Sequence, residues 1–236
     1  MERSEVLIVV CQHGNEKVGI EVEQQLGSAF DVLIAHPAAV ERTVRFIESD
    51  LNRSFPGQRG VTIEESLAAE VLERTRAYAL IIDVHSTTSS VELFGIAANQ
   101  DPRIVEIARR MGLSHLVFMP EELASRSLIG NVPLGISLEV GPHDRKENAD
   151  DIVRAVRSLF TSARMRSSID VYEVFEAIRG SGTPHMENFV YVPKGSVIAS
   201  NGSERIRTPF GFYPVLVCEE AYDGQLALAA RMIENT

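Results

Sequence analysis

The sequence predicts an α/β protein: a mixed, largely parallel sheet with helices on both faces, followed by a small C-terminal β subdomain. Three observations carry this prediction. Short β-branched runs alternate with stretches of helical periodicity through the first 165 residues, the pattern of strand–helix units on a largely parallel sheet. The helical stretches start and stop on capping residues, prolines and glycines. After about residue 166 the chain becomes β-rich, its segments separated by "RGSGTP" and "SNGSERIRTP", so a further small β unit is expected there.

The elements follow in order. "VLIVVC" (6–11) is apolar throughout and reads as a buried strand. "EKVGIEVEQQLG" (16–27) has apolar residues at helical spacing and ends on Gly, which predicts a helix. "DVLIAHP" (31–37) is a second strand, ended by proline. Residues 62–78 open on Thr-x-x-Glu, a capping box, and predict a helix that leads into the strand "ALIIDVHS" (79–86). "DPRIVEIARRMG" (101–112) is a helix with Pro in its first turn and Gly at its end. "HLVFM" (115–119) and "PLGISLEVG" (133–141) read as strands, and residues 146–164 as a long amphipathic helix. The expected division is an α/β domain, 1–165, and a β-rich subdomain, 166–236.

Composition narrows the function classes. The chain has 236 residues, 44% hydrophobic and 24% charged, ordinary for a soluble globular protein and long enough to bury a core. A formal net charge of −10 argues against nucleic acid or anionic membrane as partner, because phosphates would be repelled over most of the surface. Two cysteines and no C-x-x-C pair exclude a thiolate zinc knot and argue against a disulfide framework. The N-terminal apolar run is too short for a signal peptide core, and no segment approaches the length of a membrane span. A cytoplasmic protein is expected.

In a sheet of this class ligands collect at the C-terminal ends of the strands. "CQHGNEKVG" places His13 and Glu16 three residues apart directly after the first strand. His85 ends the strand "ALIIDVH", and Glu139 ends "PLGISLEVG". Two imidazoles and a carboxylate are a common ligand set for catalytic zinc, which keeps a further position open for water. A His-x-x-Glu chelate suits a loop turning into a helix, and His85 is placed to supply the third ligand. Asp83, two residues before His85, points the same way in a regular strand and would orient it. Taken singly, a His at a strand end is more often capped or solvated than a ligand. A second cluster lies in "RTVRFIESDLNRSFPG" (42–57), which holds Arg45, Asn52 and Arg53. A guanidinium fork matches a carboxylate bidentately, so this segment reads either as an acid clamp or as a surface loop offsetting negative charge.

The motifs "HGNE", "DLNRSF", "DVHSTTS" and "LEVGPH", in that order, and the late "YPVLVCEEAY" resemble the aspartoacylase/succinylglutamate desuccinylase family of zinc amidohydrolases. That family is similar in its core to the zinc carboxypeptidases. The resemblance spans nearly the whole chain. It implies one Zn²⁺ per chain on His13, Glu16 and His85, with Glu139 as general base and Arg45 polarising the scissile carbonyl. It further implies that Asn52 and Arg53 hold the substrate's α-carboxylate and that Arg126 holds an acyl-side carboxylate. Tyr222 would reach in from the C-terminal part. The implied reaction is hydrolysis of the amide of a small N-acyl amino acid. The implied partners are a small-molecule substrate carrying one or two carboxylates and, as a homodimer, a second copy of the chain. The same residues admit two other readings: a metallocarboxypeptidase acting on small peptides, and a non-catalytic zinc-binding scaffold. Of the remaining candidates, His36 is expected in a turn, His115 in the interior, His143 at the site's rim and His185 at the surface. Cys11 reads as a small buried residue, and Glu219 or Glu220 as support for Tyr222 or an arginine. The C-terminal part is compact for the family.

Overall fold

The structure, a computed structural model, describes residues 1–161, 168–222 and 224–235. β1 (Val6–Val10) is followed by α1 (Val18–Leu26), β2 (Asp31–Ile34) and α2 (Pro37–Arg42). A 3₁₀ turn, Leu51–Arg53, precedes α3 (Ile63–Thr75) and β3 (Leu80–Ser86). Next come β4 (Phe94–Ala97), α4 (Pro102–Arg110), β5 (His115–Phe118), α5 (Glu121–Ala124), β6 (Gly135–Val140) and α6 (Asn148–Ser158). The C-terminal part supplies β7 (Asp170–Arg179), β8 (Thr183–Pro184), β9 (Val197–Asn201), β10 (Glu204–Arg207), β11 (Tyr213–Val215) and β12 (Gln225–Asn235).

Among the described residues these strands form a nine-stranded sheet in the order β11-β12-β7-β5-β4-β6-β3-β1-β2 and a three-stranded sheet, β10-β9-β8. The pairs β2-β1, β1-β3, β3-β6, β4-β5 and β5-β7 are parallel, and β6-β4, β7-β12 and β12-β11 antiparallel. The sheet is therefore mixed and largely parallel, as the sequence predicts. The C-terminal strands divide: β7, β12 and β11 extend the large sheet, while β8, β9 and β10 make the small antiparallel one. The expected boundary at 165–166 and the last residues of the expected helix over 146–164 fall outside the described residues; α6 itself ends at Ser158.

Strand periodicity sorts the core into two layers. Val6, Ile8 and Val10 of β1, with Leu80, Ile82 and Val84 of β3, pack against α1, α4 and α6 on one face. Leu7, Val9 and Ile81 pack on the opposite face against Ala68 and Val71 of α3. Helices thus cover both faces. Asp83 and His85 share the parity of Ile81, so both project on the α3 side.

Three elements depart from the sequence reading. Pro37 was expected to end a strand; instead β2 stops at Ile34 and Pro37 opens α2 at its first position, where its missing N–H costs nothing. β4 and the four-residue α5 were not anticipated. β4 is short, contains Gly95, and is fixed by pairing with β6 and β5 rather than by local periodicity.

Candidate active site

β1 ends where Cys11 adopts a left-handed φ of 57°, which turns the chain across the sheet edge. Gly14 then runs against the backbone of α2: a Cβ there would lie 2.0 Å from the Ala39 carbonyl carbon. Only glycine fits that approach, and it lets His13 and Glu16 reach the edge of β3. Both are buried, as is His85. Glu16 Oε1 lies 2.6 Å from His13 Nδ1, and Oε2 lies 3.3 Å from His85 Nδ1. Ser86 N–H donates to Oε2 at 2.9 Å.

The other nitrogen of each ring is held by a second carboxylate. His13 Nε2 lies 3.0 Å from Asp50 Oδ1, and His85 Nε2 2.8 Å from Asp83 Oδ2. Ser137 Oγ donates to the same Asp83 oxygen at 3.1 Å. Carboxylates behind both rings keep the proton on Nε2 and turn each Nδ1 toward Glu16. One donor atom each from His13, Glu16 and His85 falls within 4.8 Å of the others. Burial opposes ionisation of Glu16, but His13 and His85 hold its carboxyl far below the ordinary range. Burial also opposes protonation of the imidazoles, yet Glu16 and Asp50 raise His13, and Asp83 and Glu16 raise His85. A buried carboxylate facing two oriented imidazoles is a donor set that fits zinc.

Glu64, at the start of α3, positions the neighbouring loop. It is fully buried and accepts from Ile47, Glu48 and Ser49 N–H at 2.7, 3.0 and 3.1 Å, and its Oε1 lies 3.1 Å from His36 Nε2. The segment it fixes carries Arg45 and Asp50. Arg45 donates through Nε and Nη2 to Asp50 Oδ2 at 3.1 and 2.8 Å, with Nη1 3.9 Å from Glu16 Oε1. Asn52 accepts from Leu128 N–H through Oδ1 at 3.2 Å, and its Nδ2 stands 3.3 Å from His85 Nε2. Arg53 donates to the Asn52 carbonyl at 2.7 Å and to the Tyr222 hydroxyl at 2.6 Å.

Glu139 sits beside His85 in the β3-β6 register. Burial, reinforced by the charges of Glu16, Glu219 and Asp83 against the opposing pull of His85, raises its carboxyl to about 7. His13, Glu16, Arg45, Asn52, Arg53, His85, Glu139 and Tyr222 all line one cleft.

Arg126 does not join them. Its side chain is 60% exposed, donates to the Arg53 carbonyl at 2.5 Å and lies 3.8 Å from Glu65. Its own carbonyl accepts from Phe55 N–H, which ties its backbone to the 50–55 loop. Of the two roles expected for Glu219, support of Tyr222 or of an arginine, the contacts favour the first: it accepts from the hydroxyls of Thr87 and Thr88 and from the N–H groups of Thr88 and Ala221. It therefore ties the Tyr222 loop to the end of β3 rather than supporting an arginine. Asp50 and Glu64, absent from the sequence reading, are the site residues it misses. His36 caps α2, His143 Nδ1 lies 2.7 Å from Ser86 Oγ, His115 stacks on Phe189 and His185 is exposed. Burial, with the Glu16 charge adding, pushes the Cys11 thiol up to about 12, so it is no nucleophile.

Residues 2–166 match the succinylglutamate desuccinylase/aspartoacylase catalytic domain. An N-acyl-aromatic-L-amino acid amidohydrolase (carboxylate-forming) of Xenopus tropicalis is 26% identical over 222 residues, covering 80% of this chain and 68% of that protein. A probable aspartoacylase of Nostoc sp. is 29% identical over 160 residues, 58% of this chain and 54% of its own length. The crystal structure of murine aminoacylase 3 has the same fold, with a TM-score of 0.80 at 18% identity over 100% of this chain and 97% of that one. The domain match covers most of the chain, and the chain belongs to the succinylglutamate desuccinylase/aspartoacylase family.

Proposed function

We propose that this protein hydrolyses the amide bond of N-acyl amino acids, with one Zn²⁺ per chain on His13, Glu16 and His85 and with Glu139 as general base. The carrying observation is the buried His13–Glu16–His85 cluster, both rings backed by carboxylates, opening on the cleft that Glu139 lines. The hydrolase names of relatives such as the Xenopus amidohydrolase support the reaction class. Zinc held there supplies Lewis acidity, acidifying water and polarising an amide carbonyl.

The chain's own groups do the rest. Glu139, raised to about 7, takes the proton from water and returns it to the leaving amine. Arg45, oriented by Asp50, faces the carbonyl oxygen as negative charge develops on it. Asn52 and Arg53 hold the α-carboxylate and so fix the amide against the base. Tyr222 steadies the Arg53 guanidinium. The division into a catalytic part, 1–165, and a covering part, 166–236, belongs to the same proposal. So does a cytoplasmic location; among the described residues no helix is long and apolar enough to cross a membrane. An acyl-side role for Arg126 is dropped, because its side chain lies outside the cleft.

Metal analysis of the purified protein is expected to find about one zinc per chain, in line with the one donor cluster among the described residues. A panel of N-acetylaspartate, succinylglutamate, N-acetylphenylalanine and a C-terminally free dipeptide then tests turnover before and after chelation. Chelator-sensitive release of a free amino acid from an acylated substrate supports the proposal. Absence of zinc overturns the ligand assignment, and cleavage of the dipeptide alone turns the reading to a peptidase. Arg53→Ala is expected to raise KM for the best substrate about ten- to a hundredfold, the worth of a charge-assisted hydrogen bond. An unchanged KM sinks the clamp.

A further inference from the structure

Past Arg53 and Tyr222 a second cleft, of about 290 Å³, opens from the candidate site and shares Asn52, Arg53, Glu139 and Tyr222 with it. Its walls are apolar, built from Ile96, Met119, Leu123, Ile129, Ala177 and Leu228. Strand register orders it. Glu139 pairs with Phe94, and Ser137 with Ile96. Phe118, just before Met119, pairs with Ala97 on one side and Glu173 on the other. Arg179 lies six residues further along β7, at the opposite end from Glu139.

Two polar groups mark that far end. Arg179 and Gln225 are partners across the β7-β12 hairpin, on the face that also carries the paired Ala177 and Leu228, and both line the cleft. Gln225 Nε2 is buried and without a hydrogen-bond partner among the described residues. A buried N–H left unpaired is costly, and such groups in native structures ordinarily meet an acceptor. Arg179 is exposed and makes no hydrogen bond or ion pair among the described residues. An apolar trough bordered by the carboxylate clamp, with two unengaged donors at the register end away from Glu139, is a site for an elongated side chain with an acceptor at its tip.

Resting on the function proposed above, we propose that this cleft receives the side chain of the substrate's amino-acid half. That side chain is apolar along its length and ends in a hydrogen-bond acceptor, best an anion, which Arg179 and Gln225 bind. The half is assigned by the clamp: Asn52 and Arg53 line both clefts, so the group leaving the α-carbon beside the held carboxylate enters the second. A short acidic side chain would leave its carboxylate among the largely apolar walls. Arg53 is taken by the α-carboxylate, which leaves Arg179 as the other cation lining this cleft.

The zinc-loaded protein is assayed with N-acetyl-L-phenylalanine, N-acetyl-4-carboxy-L-phenylalanine and N-acetyl-L-aspartate. The expected order of kcat/KM is carboxyphenylalanine, phenylalanine, aspartate. Arg179→Ala is expected to lower the carboxyphenylalanine-to-phenylalanine ratio about ten- to a hundredfold, the worth of one charge-assisted hydrogen bond, and Arg179→Lys to restore part of it. An unchanged ratio, or a preference for aspartate, overturns the proposal. Should none of the three be hydrolysed by protein that carries zinc, the failure is that of the proposed reaction. Calorimetric binding of free 4-carboxyphenylalanine then decides the cleft: weaker binding to Arg179→Ala than to the parent protein supports it, and equal binding overturns it.

Discussion

Glu139→Gln is expected to lower kcat about 10²- to 10⁴-fold, the usual contribution of a positioned general base, with zinc content unchanged. Glutamine keeps the shape and the burial at the end of β6 but cannot take a proton from water. The pH dependence supplies a second readout. Glu139 acts as base only when ionised, so kcat/KM rises with pH through its pKa. That pKa is raised to about 7, first by burial and then by Glu16, Glu219 and Asp83, against His85. A bound cation favours the carboxylate, so in the zinc-loaded enzyme the acid limb lies below 7. Glu139→Gln removes that limb; Glu219→Gln, which deletes one of the raising charges, moves it further down. Retention of activity within about tenfold by Glu139→Gln, measured against the usual range for a general base, would falsify the assignment. So would an acid limb that persists unaltered.

The donor cluster was legible because it obeys strand geometry. His13 and Glu16 leave the end of β1, and His85 and Glu139 occupy adjacent ends of β3 and β6 in direct register. Period-two alternation on a buried strand also predicted that Asp83 would stand behind His85, where it lies 2.8 Å from Nε2. The parts not legible depend on tertiary contacts. A four-residue strand such as β4 has too short a pattern to declare itself, and its direction against β6 is fixed only by the assembled sheet. Pro37 carries one local signal for two outcomes, the end of a strand and the first turn of a helix. Arg126 sits in a loop tied to Phe55 by a backbone hydrogen bond and turns its side chain to the Arg53 carbonyl and Glu65, contacts that no local spacing encodes. Glu219 meets Thr87 and Thr88 across more than a hundred residues. Glu64 looks like an ordinary first-turn acid of a capped helix until its carboxylate is seen beneath the loop carrying Arg45 and Asp50.

That placement makes Glu64 the position where fold and site are most tightly joined. Burial pushes its carboxyl upward, but hydrogen bonds from Glu48 N–H, His36 and Ile47 N–H prevail and bring it from an ordinary 4.5 to about 2. A folded pKa below the unfolded one contributes stability that is fully present above about pH 4.5 and is lost as pH falls through about 2. At 1.36 kcal/mol per unit the contribution is about 3 kcal/mol. Glu64→Gln removes the charge and sets an amide NH₂ against backbone donors, so a loss of about that size is expected, as when one partner of a buried pair is deleted. In a chain of this length that is a fall in Tm of about 6–12 °C at pH 7. The gap between parent and variant should close as the pH approaches 2, where Glu64 is protonated in the parent as well. The loop effect extends to the site: with residues 47–49 released, Asp50 holds His13 Nε2 less firmly, and zinc affinity is expected to fall about ten- to a hundredfold, as for other groups that orient a metal ligand. Thermal melts between pH 3 and 7 and a competitive zinc titration read the two effects separately. A lower Tm with unchanged zinc affinity would make Glu64 a packing residue alone, whereas a joint fall at pH 7 ties the carboxylate beneath the loop to the orientation of the imidazole above it.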